Sequence, residues 1–371
     1  MIAWFRYICL IVSLIITLPE LLSAQRLVSQ RQEDVEAGLL YNESVYILSN
    51  YSCLSSNSPE KLSLDELLRK QIEGFYFYLK RDTETNVLLL RKPDGTFTPF
   101  SESLEAIKTA LDADSTKVMT LFLDFYVETE LESSFKEIGL MEYVLEYDTK
   151  NGWPSLKNML SSGKRLVVFE VQKHLNSPSW LHNMRDFVEH TDADWGNQPE
   201  GVESFDERLK KNLSLFTGYK FLETSRGNSN DISALARQTP YLIESFKRAW
   251  IRDGRVPNFV LVDKYYAWLD VSLVTFRNFD IIYGVVTNNN ELLNYVNWDG
   301  MSNYTTGKYC FPLEPGAELM LSPISPGYRI EPATVYVSGT QRKAFAGDFK
   351  ARPLRIDEDI ELSLIHISEP T

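Results

Sequence analysis

Apolar positions along this chain fall into short unbroken runs, separated by stretches with helical spacing. KVMTLFLDFYV, from Lys117 to Val127, is a buried strand by its apolar, β-favouring residues. LESSFKEIGLMEYV, which follows, is amphipathic. NGWPSLKNML then supplies a loop with Trp153-Pro154 and a short helix, and RLVVFEV, Arg165 to Val171, is a second buried strand. Strand, helix, strand with both strands apolar throughout predicts a parallel sheet covered on both faces.

The same reading extends in both directions. It predicts a first strand over Val45 to Leu48 and a helix within Pro59 to Ile72. Strands follow in FYFYL and in Asn86 to Leu90, then a turn at Lys92 to Gly95. Ser101 to Leu111 is a helix with Leu104, Ile107, Ala110 and Leu111 on one face. Further on, Leu213 to Leu222 holds a strand, Asp231 to Asp253 is helical, and Asn258 to Asp263 and Asp280 to Val286 are the last two strands. About eight strands, mostly separated by helices, predict an α/β fold, a (β/α)8 TIM-type barrel. A doubly wound sheet is the alternative, though the first strand has no Gly-rich fingerprint after it. From Phe311 onward, frequent prolines and the alternation of ATVYVSG predict a small C-terminal β appendage.

The ends change the picture. One Arg, an apolar core and Leu22-Ser23-Ala24 predict a secretory signal peptide over residues 1–24, hence a secreted, extracellular protein, against the alternative of an uncleaved membrane anchor. Residues 25–300 are then the barrel and 301–361 the β-rich extension. Residues 362–371, LSLIHISEPT, read as a translated sequencing-adapter end, which strips His366 of weight. No other stretch is long and apolar enough for a transmembrane span. The net charge of −13 argues against nucleic acid as a partner. Export would permit a disulfide between Cys53 and Cys310, with two buried thiols as the alternative. Sequons at Asn42, Asn50, Asn212 and Asn303 are candidate glycosylation sites.

Five segments carry a family likeness in the family's own order: Thr120 to Val127, Leu131 to Tyr143, Trp153 to Met159, Lys164 to Phe169, and RVPNFVLVDKY, Arg255 to Tyr265. Together they resemble the secreted phosphatidylinositol-specific phospholipase C X-domain-like phosphodiesterases. That resemblance implies a phosphodiester hydrolase barrel concerned with lipid or phosphoinositide, with its site at the C-terminal ends of the strands. It also implies two histidines, one taking the proton from the attacking inositol hydroxyl and one protonating the leaving group.

Laid on the family pattern, YNESVYILSNYS puts Asn50 where the first histidine belongs and Tyr51 on the following asparagine. GFYFYLKR puts Tyr76 on the family's arginine and Arg81 on its acid, and the second histidine falls on Arg91. Asp124 stands for a family glutamate, and Asp263 lies in the VDKY segment. Neither asparagine nor arginine can exchange a proton usefully near neutrality. His174, after the RLVVFEV strand, is the candidate substitute, against the plainer reading of a hydrogen-bonded loop histidine.

No cofactor is expected. Asp124, Glu170 and Asp263 near three strand ends form a candidate Ca²⁺ or Mg²⁺ set, against structural pairing with nearby cations. Arg81, Arg91 and Lys92 on neighbouring strand ends are candidates for holding a phosphate without cleaving it, against ordinary solvated charge. Three functions follow. The first is a barrel that has lost its catalytic pair and binds a phosphorylated head group or a protein partner through Arg81, Arg91, Asp124 and Asp263. The second is an active phosphodiesterase with a remodelled acid/base or metal site, and the third a purely structural extracellular protein.

Overall fold

The computed structural model describes residues 31–125 apart from 50, 53–62 and 71; 131–190 apart from 173 and 175–176; 215–218; 247, 250–251, 254 and 256–262; 277–300; 305–339; and 342–355. The chain divides into two compact units, Met1–Phe246 with Pro257–Arg277, and Lys247–Val256 with Asn278–Thr371.

The first unit is built on β1 (Tyr46–Ser49), α1 (Leu64–Arg69), β2 (Gly74–Arg81), β3 (Leu88–Arg91), β4 (Phe97–Pro99), α2 (Phe100–Ala113) and β5 (Met119–Asp124). It continues through α3 (Leu131–Ile138), α4 (Leu156–Ser162), β6 (Leu166–Glu170), β7 (Leu181–Asn183), α5 (Met184–Phe187), β8 (Val188–His190), β9 (Leu215–Gly218) and β10 (Phe259–Val262). Ser63 starts α1 with a capping box, its hydroxyl accepting from Glu66 N while the Glu66 carboxylate accepts from Ser63 N. α2 buries Leu104, Ile107 and Leu111, the face its spacing predicts, together with Phe100.

Eight strands pair in the order β7-β6-β5-β2-β1-β10-β9-β8, every neighbouring pair parallel. The unit is therefore mixed α/β around a mostly parallel sheet. A doubly wound sheet runs outward from β1 in two ascending series. Here one side of β1 ascends from β2, and the other descends from β10, in the cyclic order of a barrel. β3 and β4 stand aside, extending β2 as an antiparallel meander. Leu88 to Leu90, in the stretch expected as an independent strand, is thus the return arm of a hairpin.

Buried side chains line both faces at β1, β2, β5 and β6, whose residues are mostly apolar. On one face Phe77 meets Phe100 of α2, with ring centroids 5.9 Å apart. On the other, Phe122, Phe169 and Phe259 form a cluster with centroids 5.1–6.3 Å apart, joined by Trp153, Tyr41 and Tyr46. Beneath it Glu73, just before β2, pairs with Arg31 and Arg277 and accepts from Ile47 N.

The second unit is all β among its described residues, apart from helical positions at Lys247, Trp250 and Ile251. Its strands are β11 (Asp280–Asn288), β12 (Glu291–Leu292), β13 (Asn297–Trp298), β14 (Lys308–Leu313), β15 (Glu318–Leu321), β16 (Pro323–Ile324), β17 (Tyr328–Glu331), β18 (Val335–Ser338) and β19 (Lys343–Pro353). Trp298 sits in their core against Tyr309, Phe311 and Phe349. Asp280 to Val286, expected as the last barrel strand, belongs instead to β11, which pairs with β12, β14 and β19. A short apolar run does not say which sheet it joins, and its partners here lie up to 63 residues further on. The longer part of the second unit accordingly starts at Asn278, where residue 301 was the expected start of the extension, and Lys247–Val256 joins it from earlier in the chain.

Candidate functional site

The register places Tyr76 beside Phe122, Tyr78 beside Asp124, Phe122 beside Phe169, and Phe169 beside His182. Alternation along a strand then puts Tyr76, Tyr78, Phe122 and Asp124 on one face. Tyr76 and Tyr78, two residues apart on one strand, share that face. Below, it is filled by the aromatic cluster. His182 is buried in that cluster, its Nε2 facing Leu145 O at 3.2 Å, and desolvation lowers its pKa.

Toward the C-terminal ends of β2 and β5 the same face turns polar and half-buried. The Tyr76 hydroxyl donates to Asp124 Oδ2 at 2.8 Å, and Gln172 Nε2 donates to Asp124 Oδ1 at 3.4 Å. The Arg91 guanidinium lies over the Tyr78 ring, 5.7 Å from its centroid. Ser52 fixes this corner: its hydroxyl donates to Arg91 O and accepts from Tyr78 N. A carboxylate, an amide, a phenol and a guanidinium can hold a ligand by hydrogen bonds and charge. Histidine is absent from this described group, and guanidinium does not release its proton near neutrality.

His174 stands elsewhere. Its Nδ1 lies 2.9 Å from Glu170 Oε2, and its ring stacks on Phe125 with centroids 4.4 Å apart and planes at 6°. Glu170 pairs in register with Leu123 and Asn183, so it occupies the face opposite Asp124. Of the two readings of His174, the hydrogen-bonded loop histidine fits this geometry: the carboxylate that holds it lies on the face opposite Asp124. The same alternation separates Asp124 from Glu170 as metal ligands. Among the described residues, no three His, Cys, Asp or Glu side chains gather as a metal would require.

The three cations do not converge either. Arg91 stands with Tyr78, whereas the alternation of β2 and β3 turns Arg81 and Lys92 to the other face of the meander. Tyr51 packs edge-on against Phe75 and Phe77 on the helix-covered side, and burial pushes its pKa up to about 12. It is a core residue. Asn42 lies half-buried in a short turn, Tyr41–Glu43. Asn50, Cys53, Asn212, Asp263 and Asn303 lie outside the described residues. Cys310 is buried, its sulfur accepting from Trp250 Nε1 at 3.1 Å. Sequence reasoning missed Gln172. Gln172 had one available signal, a polar side chain two residues past a buried strand's end.

Residues 90–199 match the PI-PLC X family model, a region that runs from the end of β3 past β8. The likeness to PI-PLC X-domain-like phosphodiesterases carried by the sequence motifs is thus found independently. Among solved structures, the chain is similar to the phosphatidylinositol-specific phospholipase C of Listeria monocytogenes, with 11% identity and a TM-score of 0.42 over 65% of this chain and 95% of that one. It is also similar to a mutant of the Staphylococcus aureus enzyme, with 13% identity and a TM-score of 0.41 over 67% and 96%. A comparison with curated proteins finds no match.

Proposed function

We propose that this chain is a secreted barrel protein of the PI-PLC-like phosphodiesterase type that binds a phosphorylated head group and does not cleave it. The reading includes closure of the eight-stranded sheet into a barrel, supported by the cyclic strand order. One observation carries it: where the family pattern calls for an imidazole, Arg91 lies over Tyr78, next in register to Asp124. A guanidinium there neutralises a phosphate through fixed donors but supplies no proton transfer. Asp124, already accepting from Tyr76 and Gln172, is suited to receive ligand hydroxyls.

The test pairs two measurements on the purified protein. Hydrolysis of phosphatidylinositol and of a generic phosphodiester is assayed with Ca²⁺ or with EDTA, beside an Asp124→Ala control. Binding of inositol 1-phosphate is titrated by calorimetry. The expected result is no turnover above the control, with binding that weakens about tenfold in Arg91→Ala, the scale of one charge-assisted contact. Turnover that disappears in the control would overturn the binding-only reading. N-terminal sequencing of protein exported from a eukaryotic host tests secretion, and a chain starting at Gln25 is the expected product.

A further inference from the structure

The segment after β6 is fastened at several points. Glu170, 1% exposed, receives His174 Nδ1 at 2.9 Å, the Ser177 hydroxyl at 2.6 Å and Asn183 Nδ2 at 3.2 Å. A carboxylate acceptor makes Nδ1 the protonated nitrogen of the His174 ring. That ring lies flat on Phe125, the residue after Asp124. Gln172, between Glu170 and His174 in sequence, donates to Asp124 from the other side. Val171 N donates to Leu123 O at 2.9 Å, continuing the ladder one step past β6. Two consecutive residues at the end of β5 are therefore gripped on opposite faces, Asp124 by Gln172 and Phe125 by His174.

We infer that His174 is a positioning residue: with Glu170 it clamps the segment after β6 onto the end of β5 and so holds Gln172 against Asp124. This inference rests on Asp124 and Gln172 forming part of the proposed binding face. The physical case is one of entropy. A glutamine on a segment with no fixed point would lose side-chain and backbone freedom each time it met Asp124. The hydrogen bonds to Glu170 and the stacked ring take that ordering into the fold, leaving Gln172 preorganised. The ring and the Nδ1 donor are separable, which makes the role testable.

His174→Phe keeps a flat ring for Phe125 and removes the donor, while His174→Asn keeps a donor and removes the ring. Two readouts apply to each: the Gln172 side-chain amide resonances, assigned with Gln172→Glu, and the affinity for inositol 1-phosphate. In folded His174→Phe the Gln172 resonances should move toward those of a solvated amide, and affinity should fall about fivefold, the scale of one lost hydrogen bond. His174→Asn should recover part of both. Unmoved Gln172 resonances in a folded His174→Phe protein would overturn the clamp. If that variant does not fold, His174→Asn carries the comparison: resonances and affinity both unchanged there would assign the hold to the donor, while a full shift with the donor retained would overturn its part. Should wild-type protein bind no inositol 1-phosphate, the proposed function fails, and the Gln172 resonances still decide the clamp.

Discussion

The Tyr76 hydroxyl reaches from β2 to Asp124 Oδ2 on β5 across 2.8 Å, although the direct register partner of Asp124 is Tyr78. The bond is diagonal, and it joins two residues that stand where the family pattern places an arginine and a glutamate. Where the pattern has a cation and an acid, this chain has a phenol hydrogen-bonded to a carboxylate, which leaves the carboxylate's charge uncompensated by Tyr76.

Tyr76→Phe removes only the hydroxyl, since ring size and strand propensity are nearly unchanged. A part-buried hydrogen bond to a carboxylate is lost, which should destabilise the protein by about 1.5 kcal/mol. Urea unfolding followed by tryptophan fluorescence measures this. A midpoint equal to that of wild type would show that the bond adds nothing to the fold.

Acid should weaken the protein through His182. Its ring is buried among Trp153, Phe169 and Phe187, and desolvation lowers its pKa below the ordinary 6.5. The unfolded chain therefore takes up a proton on this side chain at a higher pH than the folded one. Stability from the neutral ring is complete above about pH 6.5 and declines as pH falls below it, toward the lowered folded value. Comparing urea midpoints at pH 7.5 and 5.5 in wild type and His182→Gln checks the assignment. The acid loss should be smaller in the variant, and equal losses would exclude His182 as the cause.

The middle of the parallel sheet was legible in sequence because β5 and β6 are nearly continuous apolar runs. Met119 to Asp124 and Leu166 to Glu170 fall inside the stretches predicted for them. The strands Leu181–Asn183 and Val188–His190 were not, since three-residue strands among aromatics leave no periodicity to detect. The site was legible as positions and not as contacts. Asp124, Tyr76 and Arg91 were named from the family pattern, and they do share a face. His174 and Glu170 were also named, but strand parity sends Glu170 to the opposite face, and a one-residue offset in parity is invisible in a run buried on both sides.

Beneath the aromatic cluster, Glu73 carries a further test. Glu73, 7% exposed, has its carboxylate paired with Arg31 and Arg277 and accepting from Ile47 N at 3.3 Å, while Asp34 pairs with Arg31 at 3.3 Å. Glu73→Gln keeps the shape and removes the charge, leaving two buried guanidinium groups with one carboxylate fewer. Breaking a buried pair from one side costs about 3–5 kcal/mol. The loss should appear in urea unfolding while binding of inositol 1-phosphate persists under native conditions. A loss under about 1 kcal/mol would mean that water or neighbouring carboxylates already solvate the two arginines.

Gly74 couples the fold to the candidate site. It opens β2 opposite Thr120, and a Cβ built there would lie 2.2 Å from Thr120 O and 3.1 Å from Leu48 Cγ. The first contact is with backbone, so no side-chain rotation relieves it. Gly74→Ala must push β2 away from β5, at a cost of about 1–3 kcal/mol by the scale of overpacked cores. The displacement starts two residues before Tyr76 on the strands that carry Tyr76 and Asp124. A variant that only lost stability would bind inositol 1-phosphate normally under native conditions. Separation of β2 from β5 would also lengthen the Tyr76–Asp124 bond, so binding of inositol 1-phosphate should weaken in Gly74→Ala. Urea unfolding and calorimetry on the same samples distinguish the two, and unchanged affinity in the alanine variant would show that the strain is absorbed at the start of β2 before it reaches the site.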